Sequence, residues 1–233
     1  MISYKPMSDK PSVRSPWFWV PSLYFAQGIP YVAVMIVSVL MYKRLGVSNT
    51  DIALYTSWLN LPWVIKPFWS PFVDLLKTKR WWVATMQLLI GAGLAGVAFT
   101  IPTTFFFQAS LAVFWLLAFS SATHDIAADG FYMLALDSHE QAFFVGIRST
   151  FYRIAIIAGQ GVLVMFAGFL ENSTGNIPLA WSVTFFILGG LFLALFLYHR
   201  YILPLPKGDK PSATVTPSTI LKEFFATFAS FFK

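Results

Sequence analysis

Long apolar stretches, separated by short polar connections, follow one another along most of the chain. A helix needs about 20 mostly apolar residues to cross a membrane. Six stretches meet that length and are called segments 1 to 6 in chain order: residues 17–41, 52–75, 81–101, 105–136, 142–170 and 179–203. They lack the two-residue alternation of barrel strands and are far longer than the roughly ten residues of such a strand. The pattern predicts an all-α polytopic membrane protein with six transmembrane helices.

The composition agrees with this class. Hydrophobic residues make up 57% of the 233 residues and charged residues only 11%, whereas soluble domains carry about 25% charged residues. The absence of cysteine excludes disulfides and thiolate metal sites, and the three histidines do not have a metal-ligand spacing. No nucleophile and base stand together as in a catalytic site. We therefore expect a protein that is not an enzyme and that needs no cofactor or metal.

Positively charged residues are concentrated in alternate connections. They occupy the tail before segment 1, the connection between segments 2 and 3, and the chain after segment 6: Lys5, Lys10, Arg14, Lys77, Lys79, Arg80, Arg200, Lys207, Lys210, Lys222 and Lys233. Because Lys and Arg mark the cytoplasmic side of short connections, both termini are predicted in the cytoplasm, as in a bacterial inner-membrane protein. This distribution accounts for the net charge of +6, and no nucleic-acid partner is expected.

The chain after segment 6 has a different character from the bundle. Apolar residues recur there at helical spacing between charged residues, which predicts an amphipathic helix on the membrane surface: Ile220, Leu221, Phe224, Phe225, Phe228 and Phe231. We therefore divide the chain into a cytoplasmic tail (residues 1–15), the six-helix bundle (16–203) and a cytoplasmic linker (204–233). The linker shows no end signal and is predicted to be truncated.

Ionisable side chains inside the predicted segments are the candidate chemistry. Each costs at least about 2.5–3.5 kcal/mol near the centre of a membrane helix, so such groups usually face a partner or a water-filled cavity. Asp125 and Asp129 lie four residues apart, on one face of segment 4. In an antiparallel hairpin of segments 4 and 5, Asp125 lies at the depth of Arg153, and Asp129 lies at the depth of Arg148. Lys66 of segment 2 falls in the layer of Asp125.

Two interpretations of this charged layer remain open. A buried ion-pair network can hold helices in register while adding little net stability. Alternatively, two carboxylates on one face in a low-dielectric setting suit proton uptake and release, with Lys66, Arg148 and Arg153 as the balancing cations. His124 points about 100° away from Asp125 on the same helix, since successive helical residues differ by that angle.

Glycine and proline punctuate several segments. Residues 91–96 read GAGLAG and match the spacing of a dinucleotide-binding loop, but that loop requires a preceding strand. Inside segment 3, small residues instead favour close helix packing, and we reject nucleotide binding there. Pro62, Pro67 and Pro71 interrupt segment 2, where each interior proline removes a backbone hydrogen bond. Such breaks recur at the binding sites of transporters.

Four short motifs follow one another along the chain. They are YFAQGIP at residues 24–30, the spaced pattern LPxxxKxxWSPxxD at 61–74, ATHDIAAD at 122–129, and Tyr152-Arg153. Together they make the chain resemble the AmpG-like muropeptide permeases of the major facilitator superfamily, to which acetyl-coenzyme A transporters are related. The family has a second six-helix half, so the resemblance concerns the amino-terminal half only. One departure is His124, at a position where the family usually has Gln.

The resemblance implies proton-linked import of cell-wall sugar-peptides from the periplasm to the cytoplasm, with protons, a small solute, the lipid bilayer and a carboxy-terminal half as partners. It also implies a gating loop between segments 2 and 3, represented here by Asp74, Lys79 and Arg80. The arginine that normally follows the aspartate is replaced by Leu75. The latch that this loop provides between the two halves is therefore expected to be altered.

Polar residues at mid-depth complete the expected binding site. The candidates for binding or coupling are Asp125, Asp129, Lys66, Arg148, Arg153, Gln27, Tyr152 and Gln160, with Asn60 and Gln87 as further cavity candidates. Asn and Gln inside membranes also serve simply to join helices. Two alternatives to muropeptide import stay open: a transporter of coenzyme A thioesters or another anionic metabolite, and a non-transporting membrane fragment.

Overall fold

The computed structural model describes residues 15–210. Five segments form continuous helical runs that are long and apolar enough to cross a membrane: segment 1 is Pro16–Arg44, segment 3 is Lys79–Thr100, segment 4 is Phe106–Ala135, segment 5 is Ser138–Thr174 and segment 6 is Ile177–Ile202. Within the described residues no strand occurs. The predicted class, an all-α polytopic membrane protein, is confirmed. The predicted amphipathic helix and nearly all of the amino-terminal tail lie outside the described residues.

Segment 2 is a series of short helical pieces rather than one continuous helix. The pieces are helices Asn49–Thr56, Leu61–Ile65 and Ser70–Leu76, joined by the 3-10 turns Ser57–Asn60 and Lys66–Phe68. The breaks coincide with the prolines of this segment, as predicted, because proline cannot donate the helical hydrogen bond. Six spans therefore stay a prediction, with five continuous helices and one broken run observed.

Segments 1 and 5 each contain a π-helical turn, and glycines let the two helices approach. The turns are Ala33–Val37 and Gly159–Leu163. A Cβ atom on Gly28 would lie 2.8 Å from the backbone oxygen of Tyr152, which is closer than real Cβ atoms come. Such π-turns are often found at functional sites in membrane and soluble helices. Segment 1 is thereby held against the face of segment 5 that carries several candidate residues.

The glycine-rich stretch of segment 3 lies inside a helix and packs against segment 6. A Cβ atom on Gly91 would lie 3.2 Å from the backbone oxygen of Gly189, and one on Gly93 would lie 2.6 Å from Leu117 of segment 4. Small residues at such crossings let helix backbones come close. The packing interpretation of the GAGLAG stretch is confirmed.

The turn between segments 4 and 5 is shorter than the sequence indicated. Segment 5 begins at Ser138 because Asp137 and Glu140 form a capping box, in which each side chain accepts a hydrogen bond from the other residue's backbone N–H. Gln141 Nε2 also donates to the backbone oxygen of Leu136 at 2.9 Å. This tight turn holds the two segments antiparallel, which fixes the relative depth of their charged residues.

The segments differ strongly in how far they are covered. Of the most apolar stretch of segment 1, 67% is buried inside the protein, whereas the corresponding stretch of segment 5 is only 17% buried. Segment 1 supplies buried residues to both apolar clusters of the core, Val34 and Val37 to one and Trp19 and Leu23 to the other. Segment 1 is therefore central, and segment 5 lies at the edge with one face open.

Candidate functional site: a charged layer inside the helix bundle

Asp129 belongs to a compact polar cluster contributed by segments 1, 4 and 5. The hydroxyl of Tyr24 donates to Asp129 Oδ1 at 2.9 Å, and Arg148 Nη1 donates to the Tyr24 hydroxyl at 2.9 Å. Arg148 Nη1 lies 3.4 Å from the same carboxylate oxygen. The guanidinium also lies 5.2 Å from the Tyr24 ring and 4.9 Å from the Tyr132 ring. The pairing of Asp129 with Arg148, predicted from equal depth in the hairpin, is confirmed.

Asp125 lies one turn away in a different environment. Its carboxylate is buried, with Lys66 Nζ at 3.8 Å from Oδ2. Its Oδ1 has no hydrogen-bond partner among the described residues, and the same holds for Gln27 Oε1. The side chains of Gln27 and Trp63 both face this carboxylate. Two unpaired buried oxygens beside one lysine leave room for a proton or a ligand donor.

The predicted pairing of Asp125 with Arg153 is wrong. Within residues 15–210, Arg153 has no carboxylate within the 4.0 Å range of an ion pair, and its side chain is exposed. Equal depth in a hairpin does not fix the direction in which a side chain points. The broken segment 2 packs against segment 4, and it brings Lys66 to the position that the hairpin argument assigned to Arg153.

An open cavity lies over the charged layer. Its volume is about 410 Å³, and its lining comes from segments 1, 4 and 5: Tyr24, Gln27, Asp129, Arg148, Ser149, Tyr152 and Arg153. Five of the eight residues predicted for binding or coupling therefore line one space. Gln160 lies in the π-turn of segment 5 with its side chain exposed and is not part of this lining. Asp125 and Lys66 do not line the cavity, but Asp125 lies next to the lining residue Gln27.

A buried chain of hydrogen bonds on the other side of segment 4 was not anticipated. His124 Nε2 lies 3.1 Å from Gln87 Nε2, Gln87 Oε1 lies 3.0 Å from His199 Nδ1, and His199 Nε2 lies 2.9 Å from the hydroxyl of Ser22. The two histidines and the glutamine have no exposed surface. Gln87 thus faces away from the cavity, so its interpretation as a cavity residue is wrong. Gln87, His124 and His199 lie in three different segments, and nothing in the sequence pattern predicts that their side chains contact one another.

The gating-loop residues contact the end of segment 6 and the chain that follows it. Lys79 forms an ion pair with Asp74. The backbone N–H groups of Lys79 and Arg80 donate to the carboxylate of Asp209 at 2.6 and 3.0 Å. The Arg80 guanidinium donates to the backbone oxygens of Arg200 and Leu203. Asp209 thus pairs with the free backbone N–H groups at the start of segment 3, and Arg80 pairs with free backbone oxygens at the end of segment 6. Helix termini require such partners.

A second polar cluster joins the opposite ends of segments 1, 5 and 6. The guanidinium of Arg44 pairs with Glu171 Oε2, and the indole N–H of Trp181 donates to Glu171 Oε1 at 2.7 Å. Sequence reasoning missed Glu171 because it considered only charges at mid-depth. Within the part of the chain that the structure describes, no three His, Asp or Glu side chains are grouped closely enough to hold a metal ion.

The helices, their apolar faces and the internal charged layer define a multi-pass membrane protein of the all-α class. The profile of the BT1 family matches residues 25–226, which is most of the chain, so this chain belongs to the BT1 family. This family is of the major facilitator type and includes AmpG and an acetyl-coenzyme A transporter. The resemblance drawn from the four sequence motifs is confirmed.

The individual relatives share 26–29% sequence identity with this chain and are longer than it. The chain is 28% identical over 153 residues to the anhydromuropeptide permease of Escherichia coli (strain K12), an alignment covering 62% of this chain and 30% of the permease. It is 29% identical over 181 residues to the Rickettsia conorii protein named AmpG 4, covering 73% and 41%. With AmpG 4 of Rickettsia felis the identity is 26% over 224 residues, covering 91% and 51%. The chain spans about half, or less, of the length of these relatives.

Proposed function

We propose that this chain is the amino-terminal half of a proton-coupled secondary transporter that imports cell-wall muropeptides, or similar sugar-peptide solutes, across the bacterial inner membrane. The observation that carries the proposal is a pair of carboxylates one helical turn apart. Asp129 lines the cavity and pairs with Arg148, and Asp125 is buried beside Lys66. Ionisable groups at such places mark substrate and proton pathways. Membership of the BT1 family and similarity to the anhydromuropeptide permease support it.

Asp125 is the proposed proton acceptor. It is buried, one of its oxygens is unpartnered, and its only ion-pair partner among the described residues is Lys66 at 3.8 Å. A proton on Asp125 removes the charge that attracts Lys66, and the lysine is then available to an anionic group of the solute. Loss of the proton on the other side of the membrane restores the ion pair. Proton binding and solute binding are therefore coupled through Lys66.

The cavity residues are proposed to bind the solute. Arg148 and Arg153 present guanidinium groups to the cavity, and guanidinium matches the geometry of a peptide carboxylate. Gln27 and Tyr152 offer an amide and a hydroxyl for hydrogen bonds to sugar and peptide groups. Gln160, further along segment 5, extends this polar face toward the opposite membrane surface.

A second six-helix half is proposed to complete the cavity. Support comes from the alignments, which cover 30–51% of the relatives, and from segment 5, whose open face carries Ser149, Arg153 and Gln160. Polar residues facing lipid are unfavourable, so a protein surface or a water-filled path is expected there. Asp74, Lys79 and Arg80 are proposed to act as the gate between the halves, on the cytoplasmic side where both termini are proposed to lie.

A coenzyme A thioester or another anionic metabolite is the second candidate solute. The observation that favours it is the set of three cations around the cavity, namely Lys66, Arg148 and Arg153, against the two carboxylates Asp125 and Asp129. A cargo with several negative charges would satisfy all three cations once Asp125 is protonated. Import of a neutral sugar would not use this arrangement.

The experiment that tests the proposal is uptake into liposomes that contain the purified gene product. Labelled anhydro-muropeptide and labelled acetyl-coenzyme A are compared, each with and without an imposed proton gradient. Muropeptide uptake that requires the gradient is the expected result. Uptake of acetyl-coenzyme A alone supports the second candidate, and uptake that ignores the gradient contradicts proton coupling. If neither solute enters, even with a carboxy-terminal half co-reconstituted, transport by this chain is contradicted.

A further inference from the structure

A second cavity lies between the ends of segments 3 and 6, on the side of the bundle that carries the gating loop. Its volume is about 320 Å³, and Trp81, Arg200 and Asp209 mark its outer end, while Leu88 and Phe196 lie at its inner end. It is separate from the charged layer, because none of its lining residues lines the cavity over Asp129. Arg80 of the proposed gate lines this cavity, but the proposed solute binding and proton transfer do not use it.

The outer end of this cavity is basic. Arg200 is exposed, and its guanidinium forms no hydrogen bond or ion pair with any residue between 15 and 210. The only carboxylate in the lining, Asp209, already accepts hydrogen bonds from the backbone N–H groups at the start of segment 3. A carboxylate at a helix amino terminus is largely balanced by the helix dipole. The net field at the cavity entrance therefore attracts an anion.

The inner end is apolar and reaches into the depth of the membrane. Trp81, Ala84 and Leu88 lie on one face of segment 3, and Leu88 is seven residues from Trp81. At 1.5 Å per helical residue, the cavity wall extends by roughly 10 Å from the aromatic ring toward the bilayer centre. Tryptophan at the entrance is typical of the interface between headgroups and acyl chains. The basic outer end of the cavity therefore suits a negatively charged group, and its apolar inner end suits a hydrocarbon chain.

We propose that this cavity binds an anionic phospholipid of the cytoplasmic leaflet, with its phosphodiester on Arg200 and one acyl chain along Ala84, Leu88 and Phe196. Basic pockets between membrane helices on the cytoplasmic side bind such headgroups. The neighbouring gating loop and the end of segment 6 form one hydrogen-bonded unit through Arg80. A lipid bound here therefore fixes the end of segment 6 relative to the loop. The proposal uses the cytoplasmic orientation proposed above and does not depend on the solute.

Lipid binding is measured on the purified chain in a neutral detergent. Dioleoyl-phosphatidylglycerol is titrated by native mass spectrometry and compared with dioleoyl-phosphatidylcholine, which has the same acyl chains but no net charge. The water-soluble headgroup glycerophosphoglycerol and inorganic phosphate are titrated in parallel, because they carry a phosphate without a chain. We expect the anionic lipid to bind at least about fivefold more tightly than the zwitterionic one. Both lipids carry a phosphodiester, but the choline cation cancels the charge of phosphatidylcholine, and the attraction between one net charge and Arg200 is worth about that much even in water.

Two variants locate the site. Arg200→Gln removes the unpaired guanidinium and is expected to weaken phosphatidylglycerol binding about tenfold. Phosphatidylcholine has the same phosphodiester but no net charge, so its binding is expected to weaken less. Lys207→Gln removes a positive charge at the same end of the bundle but outside the cavity lining, and its effect should stay below about twofold for a screened surface charge. Because the Arg200 side chain has no partner within the described residues, its replacement should leave the fold intact, as a thermal unfolding scan will show.

The measurements distinguish a lipid site from a surface-charge effect and from a soluble-anion site. Equal binding of the two lipids would mean that the charge of the lipid has no effect, and an equal loss in both variants would mean that only general surface charge acts. Either result would overturn the proposal. Binding of glycerophosphoglycerol or inorganic phosphate as tightly as the whole lipid would identify a soluble-anion site and overturn the assignment to lipid. No binding of either lipid would also overturn it. Since none of these measurements involves transport, their failure is distinguishable from failure of the proposed function.

Discussion

Asp125 and Asp129 are the same residue type one helical turn apart, yet they have unlike surroundings. The side chain of Asp125 is 10% exposed and faces a single lysine at 3.8 Å. The side chain of Asp129 is 45% exposed and lies in a cluster with Arg148 and the hydroxyl of Tyr24. The first carboxylate is buried with too few partners, and the second is half-exposed with several.

The two environments suit the carboxylates to different tasks. Asp129 contacts both Arg148 and Tyr24, so it is expected to position Arg148 toward the cavity. Asp125 is buried, and burial and its pairing with Lys66 act in opposite directions on its charge. We therefore expect Asp125 to be the carboxylate whose charge a proton or a solute changes.

Replacing Lys66 with Met is expected to cost about 3 kcal/mol of unfolding free energy, because it leaves a buried carboxylate without its counter-ion. The measurement is reversible unfolding in mixed micelles by titration with SDS. Lys43→Met is the matched control, since Lys43 is exposed and, within residues 15–210, its side chain bonds only to Asn49. The double variant Lys66→Met with Asp125→Asn should recover most of the loss. If the single variant is as stable as the control, Asp125 does not depend on Lys66.

Asp125→Asn is expected to lower gradient-driven solute uptake by about 100-fold, the order of effect of removing a proton-transfer group. Asp129→Asn should keep a gradient-dependent uptake, with a weaker apparent affinity for the solute. Initial rates in liposomes at several external pH values provide the measurement. Solute counterflow without a gradient, retained in Asp125→Asn, would show that binding survives and only coupling is lost. Normal uptake with an unchanged pH profile in Asp125→Asn contradicts the proton role.

Arg148→Gln is expected to cost about 1 kcal/mol of stability, the upper range for a partly exposed ion pair. The carboxylate of Asp129 keeps access to water and to Tyr24, so the penalty should be well below that of the Lys66 variant. Unfolding in the same micelles provides the comparison. Arg153→Gln is the matched control in segment 5, because that arginine has no carboxylate partner within the described residues. A loss as large as that of Lys66→Met would remove the contrast between the two sites.

Tyr24→Phe should have the smallest effect, a loss of about 0.5 kcal/mol, which is the low end for one hydrogen-bonding hydroxyl, because Asp129 and Arg148 still contact each other. The ring remains, so its contact with the guanidinium of Arg148 is kept. Infrared bands of the carboxylate, or a thermal unfolding scan, can detect the change. Tyr132→Phe is the control for the general effect of losing a tyrosine hydroxyl. It keeps the other ring beside Arg148 and removes a hydroxyl that donates to the backbone oxygen of Gln141.

Much of the fold could be predicted from the sequence. Segments 3, 4 and 6 begin and end within two residues of the predicted bounds, because hydrophobic length alone is enough to define a membrane helix. The capping box at Asp137 moved the start of segment 5 by four residues, since a cap depends on local side chains rather than on hydropathy. Prolines correctly marked the breaks in segment 2.

The site was only partly predictable. Helical periodicity put Asp125 and Asp129 on one face, and the hairpin correctly paired Asp129 with Arg148. The same argument failed for Arg153, because depth says nothing about rotation of the helix around its axis. Asp209 was overlooked because it lies outside the apolar segments, although a carboxylate near a helix start is a recognisable signal.

Hydrophobic length, charge distribution and local caps by themselves determined that this chain is a helical membrane protein with carboxylates and cations inside it. These properties depend on residues close together in the chain. Tertiary structure alone decided that Lys66 rather than Arg153 faces Asp125, and that Gln87 joins His124 to His199. Such pairings depend on how segments rotate and break against one another, and packing between distant parts of the chain sets both.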